Sequence, residues 1–170
     1  QSLTYQRSIL ALEQYGRYSL IPILADKYIN AVAKSGKFTQ QFDPFTAESN
    51  VGWGIGDYGP SILTVLEFTS RLYGVSRCGN TIYWGAHDGG FDSEYTYGTG
   101  GREYTVKISG GAAHLFVDGK EKITVSTGTR LFTDMNGDSI TVVNTEDKTR
   151  EITVNGRSVT AKTDAEIKIR

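Results

Sequence analysis

From Lys37 the chain reads KFTQQFDPFTAESNVGWGIGDYGPSILTVLEFTSRLYG, and the first part of this stretch concentrates side chains able to do chemistry. The carboxylates Asp43, Glu48 and Asp57 share one loop with the amides Gln40, Gln41 and Asn50 and with the rings of Phe42, Phe45, Trp53 and Tyr58. Sugars present flat C–H faces ringed by hydroxyls, so a site for them wants aromatic faces together with acidic or amide side chains. This loop has both, and the substrate-binding set expected from it is Gln40, Gln41, Trp53, Asp57 and Tyr58. Loops of more than about 15 residues are uncommon in compact domains unless they work or are disordered. The aromatic content argues against disorder. The competing reading is that the rings pin the loop to its own core, that Gly52, Gly54, Gly56 and Gly59 make turns, and that Asp57 caps the helix that follows.

The elements that must position this loop are legible on either side of it. Behind it, Ser19 is placed to cap a helix with Pro22 in its first turn, and Ile21, Leu24, Tyr28, Ala31 and Val32 mark a buried face up to a stop at Ser35-Gly36. Leu3 to Leu12 forms a further short helix or turn. Ahead of it a helix starts at Pro60, a residue suited to a first helical turn. Ile62, Leu63, Val65, Leu66, Leu72 and Tyr73 recur at helical spacing on one face expected to be buried, with Gly74 as a left-handed stop.

After Gly79 the period changes to two. About ten short strands follow, from Thr81–Trp84 to Ala165–Ile169, with Asp118-Gly119, Asn136-Gly137 and Asn155-Gly156 as signals for two-residue hairpins. The expected fold is α+β, with helices over residues 1–79 and an antiparallel β-sandwich over 80–170.

The run Phe42-Asp43-Pro44-Phe45-Thr46, then Gly56-Asp57-Tyr58-Gly59-Pro60-Ser61, Leu72-Tyr73-Gly74-Val75 and Ile82-Tyr83-Trp84 resembles the closing segment of the six-hairpin, (α/α)6-toroid glycoside hydrolases, the trehalase and processing-glucosidase-like group in particular. The resemblance covers roughly Leu20 to Trp84, about half the chain. It implies that residues 1–79 are the terminal helices of an (α/α) toroid, an incomplete domain, and that the sandwich buttresses it. In many relatives a Glu acting as general base precedes the Asn/Asp-Pro turn, at a place that aligns here with Gln40. Glutamine cannot activate a water, so no catalytic role is carried over to it.

Such hydrolases need two carboxyl groups; in the inverting variant they stand about 6.5–9.5 Å apart. The candidates are Asp57 and Glu48, Asp57 fitting a helix cap equally well, while Asp43 before Pro44 suits a turn. The general acid of such enzymes belongs to an earlier part of the toroid, so the site would be shared with residues outside this chain.

The remaining composition narrows the field. Net charge is −1, from 18 basic and 19 acidic residues spread along the chain, which offers no footprint for nucleic acid or an anionic membrane. No apolar run approaches the roughly 20 residues of a membrane span. Cys78 has no partner for an internal disulfide and leaves the compartment undecided, a periplasmic or secreted one included. His87 and His114 with one cysteine are too few for a metal cluster, and no cofactor is expected. His87-Asp88-Gly89-Gly90 reads as a turn or a ligand site, and Asp134-Met135-Asn136-Gly137-Asp138 lacks the remaining ligands of a calcium loop. The chain opens at Gln1 with residues resembling a domain interior, as a processed or truncated product would.

Three function classes follow. The first is the C-terminal portion of a glycoside hydrolase acting on an oligosaccharide or glycoside, inactive alone, its helical face covered by the remainder of the polypeptide or a second chain. The second is a carbohydrate-binding module using Trp53, Trp84, Tyr95 and Tyr97 without turnover, and the third is an assembly domain docking a partner on its helices. The long loop between amphipathic helices favours the first.

Overall fold

A computed structural model gives the three-dimensional structure and describes residues 1–50 and 56–169. Among the described residues the chain forms three helices and eleven strands, the strands in two antiparallel sheets, so the fold is α+β. Two compact units are distinguished, residues 1–69 and 70–170, with the division inside the third helix.

The first unit holds helix α1 (Ser2–Gln14), α2 (Leu20–Ser35) and the opening turns of α3 (Gly59–Tyr73). Its centre is aromatic: the Tyr28 ring lies 5.1 Å from Tyr5, 5.8 Å edge-on from Phe42 and 6.1 Å from Phe68. Ile9, Tyr18, Ile21, Pro22, Ala25 and Ala31 are buried with it. Gly36 ends α2 at a φ of 64°, its N–H donating to the Val32 carbonyl, the left-handed stop that a glycine serves best. Ser19 occupies the position before α2, but its backbone is already helical and its hydroxyl does not cap the first turn.

Helix α3 departs from its expected polarity. Ser61, Thr64, Phe68 and Leu72 are buried, whereas Ile62, Leu63 and Leu66 are exposed, Leu66 at 58%. Of the stripe that the spacing assigned to the core only Leu72 is fully buried, Ile62, Leu63 and Leu66 face outward, and the hydroxyls of Ser61 and Thr64 face inward beside Phe68. Burying a hydroxyl is costly unless it is hydrogen-bonded, and here each is: the Ser2 and Ser61 hydroxyls lie 2.7 Å apart and Thr64 Oγ1 donates to the Ser2 carbonyl at 3.0 Å. Leu10 and Leu20 are likewise exposed. Gly74 follows α3 without a positive φ. What requires glycine there is proximity, since a Cβ would stand 3.0 Å from the Ser70 Cα and carbonyl oxygen.

In the second unit, β1 (Val75–Cys78), β2 (Thr81–Ala86), β7 (Thr129–Thr133), β8 (Ile140–Asn144) and β11 (Glu166–Ile169) form one sheet in the order β1-β2-β7-β8-β11. The other runs β10-β9-β6-β5-β4-β3, from β3 (Ser93–Thr99), β4 (Arg102–Ser109), β5 (Ala112–Val117), β6 (Lys120–Ser126), β9 (Arg150–Val154) and β10 (Arg157–Ala161). Alternation explains the shared core: Ile82, Trp84 and Ala86 from β2 and Leu131 from β7 meet Tyr104, Val106 and Ile108 from β4, Leu115 from β5 and Ile152 from β9. The Val, Leu and Ile side chains among these each contribute about 1.5–3 kcal/mol on burial.

Strand β1 was not anticipated, because only five residues, Gly74 to Cys78, separate the end of α3 from the Gly79 turn. Asp118-Gly119 and Asn155-Gly156 form two-residue turns with both residues at positive φ, the type I′ pattern. Gly100-Gly101 and Gly110-Gly111 do the same between β3, β4 and β5. Asn136-Gly137 does not. Residues 134–139 form a longer connection organised by the Asp134 carboxylate, which accepts from the N–H groups of Asn136, Asp138 and Ser139 at 2.9, 3.0 and 3.1 Å. Burial raises the Asp134 carboxyl, but those N–H groups lower it further, leaving it below the ordinary value.

Candidate functional site

The loop between α2 and α3 is held at its base by a buried polar hub. Ser2 N–H donates to the Gln40 carbonyl at 3.0 Å, and the Ser2 and Ser61 hydroxyls both lie within hydrogen-bond reach of the Thr39 carbonyl, so that one donates to it and the other donates to its neighbouring hydroxyl. Thr39 Oγ1 in turn donates to the Gln41 carbonyl at 2.8 Å. The loop's far end returns to its start, Tyr58 N–H donating to the Phe38 carbonyl at 2.6 Å. None of these bonds is local in sequence apart from that of Thr39, so only the folded unit fixes Gln40 and Gln41.

Residues 41–50 then fold back on themselves. Asp43 N–H donates to the Glu48 carbonyl at 2.8 Å, Asn50 N–H to the Gln41 carbonyl at 3.0 Å, and Phe42 and Ser49 form an isolated antiparallel bridge. Phe42 points to the aromatic centre at Tyr28, whereas Phe45 at the tip is 95% exposed. Lys34 of α2 donates to the Thr46 carbonyl at 2.7 Å and ties the tip to the helix.

The Asp43 carboxylate belongs to this turn. Its Oδ1 accepts from Phe45 N–H and Thr46 N–H, both at 2.8 Å. The Thr46 and Phe45 N–H groups hold its carboxyl below the ordinary aspartate range. A carboxyl that is ionised and committed to two N–H donors is a poor general acid. A depressed folded-state pKa stabilises the turn at pH values above the unfolded-state value and loses that stabilisation as pH falls through the folded one. Amide exchange at Phe45 and Thr46, corrected for intrinsic pH dependence, is therefore expected to accelerate below about pH 4, near the ordinary aspartate pKa, while Asp43→Asn shows no such acid step.

The two catalytic candidates are placed differently. Glu48 is exposed on the returning limb, opposite Asp43, its N–H donating to Thr46 Oγ1 at 3.3 Å. Asp57 is exposed at a φ of 53°, two residues before α3. Tyr58, not Asp57, immediately precedes the first helical residue, so the capping position that the sequence suggested for Asp57 lies one residue later. Gln40, Gln41 and Tyr58 are partly buried and share the anchored base of the loop. Trp53 lies outside the described residues. The arrangement sets Gln40, Gln41 and Tyr58 on an anchored base, with the carboxylates of Glu48 and Asp57 exposed.

Of the sheet aromatics that the sequence suggested for a platform, Trp84 is 0% exposed and Tyr97 packs partly buried against the core, while Tyr95 is at the surface. Among the described residues, no three His, Cys, Asp or Glu side chains converge as a metal site would require, and no helix is long and apolar enough to cross a membrane. Sequence reasoning passed over two features. The hub of Ser2, Thr39, Ser61 and Thr64 leaves no local signal. Phe91 did leave one, an isolated ring between Gly90 and Asp92 in an otherwise polar turn. No protein-family model, no curated protein and no solved structure matches this chain.

Proposed function

We propose that the chain is the C-terminal portion of a glycoside hydrolase of the six-hairpin, (α/α)6-toroid type, contributing a sugar-cleft loop and a supporting β-sandwich. The observation that carries this reading is the double character of α3. Its inner face holds the loop through Ser61 and α1 at Ser2 through Thr64, and its opposite face presents Ile62, Leu63 and Leu66 to solvent. A helix in a ring of helices has neighbours on both sides, and an apolar stripe of this kind is what such a neighbour covers. The occupant is the remainder of a longer polypeptide or a second chain, and the ligand is an oligosaccharide or glycoside.

Binding at the loop rests on an aromatic face beside amides and carboxylates, with Trp53 supplying the face and Gln40, Gln41, Asp57 and Tyr58 the polar groups. Trp53→Ala in the complete protein is expected to weaken oligosaccharide binding by more than about 1 kcal/mol, the scale of one lost aromatic contact. Titration calorimetry checks it, and unchanged affinity in a folded variant rejects the loop as the sugar site. The 170 residues alone are expected to show no glycosidase turnover, because the general acid lies elsewhere. A monomer of this chain that hydrolyses a glycoside by itself would overturn the reading. In the alternative of a non-catalytic carbohydrate-binding module Trp84, being buried, cannot be part of the platform, and in the alternative of an assembly module the exposed Ile62, Leu63 and Leu66 of α3 would dock the partner.

A further inference from the structure

We infer that the sheet unit carries a saccharide-binding pocket of its own, built around Phe91 and independent of the α2–α3 loop. A cavity of about 240 Å³ opens where the β2–β3 connection meets the β4–β5 hairpin, lined by Asp88, Phe91, Asp92, Ser109, Gly110 and Thr127 among others. That is smaller than the roughly 300–1,000 Å³ of pockets for drug-sized ligands, so it suits one small ring.

Phe91 is 56% exposed, yet it is not a loose surface side chain. Its ring rests 5.1 Å from that of Tyr73, which lies 5.7 Å from His87. Gly89 makes this stack possible, since a Cβ there would stand 2.5 Å from Phe91 Cε1 and 2.7 Å from the Tyr73 hydroxyl. An exposed ring fixed beforehand loses little freedom when it meets a ligand face, which is the advantage of preorganisation. Around it stand acceptors. Asp88 engages Gly90 N–H at 3.1 Å through one carboxylate oxygen, leaving the second. Thr127, buried, donates its hydroxyl to the Gly111 carbonyl at 3.2 Å and keeps its lone pairs as acceptors.

The chemistry of the lining selects the ligand class. It contains no Lys, Arg or His, so an anion finds two carboxylates and no countercharge. Two carboxylates without a third metal-ligating side chain fall short of a divalent-cation site. An apolar face beside carboxylate and hydroxyl acceptors fits a neutral ring bearing hydroxyl donors, a monosaccharide unit.

Titration calorimetry and hydrogen-exchange mass spectrometry with methyl glucoside, methyl mannoside, methyl galactoside, maltose and cellobiose test this. At least one is expected to bind and to slow exchange in peptides spanning residues 87–93 and 108–112. Phe91→Ala is expected to weaken that binding about tenfold or more and Asp92→Asn several-fold, while Phe91→Tyr retains it. Trp53→Ala should leave it untouched, which separates this pocket from the loop: loss of all binding in Trp53→Ala with none lost in Phe91→Ala would remove the pocket and keep the loop. No binding by any of the five, protection confined to other peptides, or the same protection produced only by calcium chloride would overturn the inference. Should Phe91→Ala fold poorly, the location of protection in the unaltered protein decides.

Discussion

Trp84→Ala is expected to destabilise the sheet unit by about 3–5 kcal/mol, the range for removing a large buried aromatic. The side chain is 0% exposed on β2, its backbone paired to Val75 of β1 on one side and Leu131 of β7 on the other. It meets the Tyr104 ring edge-on at 5.7 Å across the two sheets. Its indole N–H donates to Thr133 Oγ1 at 3.0 Å, and Thr133 donates onward to the Asp134 carbonyl at 2.9 Å. Removing the ring opens a cavity that these closely paired strands are poorly placed to fill, and it deprives a buried hydroxyl of a donor. Stability of a domain is only about 5–15 kcal/mol, so a large share is lost. Urea denaturation followed by circular dichroism measures it. Trp84→Phe, which keeps most of the ring but not the N–H, should lose clearly less. A midpoint unchanged by Trp84→Ala would mean that the two sheets do not share the core described. The same burial removes Trp84 from any sugar platform, which is why saccharide binding in folded Trp84→Phe should match that of the unaltered protein.

The contrast between Trp84 and α3 explains what the sequence could and could not say. Strands were legible because their hairpins are local: Asp118-Gly119 and Asn155-Gly156 need only adjacent residues at positive φ, and alternation on β5 follows from the pleat. The exception, Asn136-Gly137, lost to a competing local bond set, the three N–H groups gathered by Asp134. Helix α3 was different. Periodicity finds an apolar stripe but cannot say which face is covered, and the inward choice of Ser61 and Thr64 depends on Ser2, far away in the chain. The candidate site divides the same way. The Asp43 turn is a short-range motif legible from Asp-Pro, whereas the anchoring of Gln40 through Ser2 is long-range. The two carboxylates proposed for chemistry divide likewise: that Asp57 precedes α3 was legible from the helix start at Pro60, whereas the return of Glu48 beside Asp43 follows from a backbone pairing that no spacing pattern announces.

Gly85→Ala is expected to cost about 3 kcal/mol or more, although it adds a single methyl group. A Cβ at Gly85 would stand 2.5 Å from the Arg71 carbonyl oxygen, 2.5 Å from the Leu72 carbonyl carbon and 2.6 Å from the Leu72 oxygen. All three are backbone atoms, so no side chain can swing aside; the last turn of α3 must retreat from β2. That retreat pulls on two hydrogen bonds, Gly85 N–H to the Gly74 carbonyl at 2.8 Å and His87 N–H to the Leu72 carbonyl at 2.9 Å. These bonds satisfy carbonyls at a helix C-terminus that have no partner within the helix. Losing both costs about 1–3 kcal/mol, and forced overpacking about as much again. Gly98 of β3 provides the control: the nearest atom to its Cβ position is the Arg102 carbonyl oxygen at 4.0 Å, and its φ is not positive. Gly98→Ala should be neutral or stabilise by up to about 1 kcal/mol through reduced freedom of the unfolded chain. The comparison is made by thermal denaturation of the two variants side by side. If Gly85→Ala proves as harmless as Gly98→Ala, the end of α3 does not rest on β2, and the path that carries the chain from the last helix into the sheets must be redrawn.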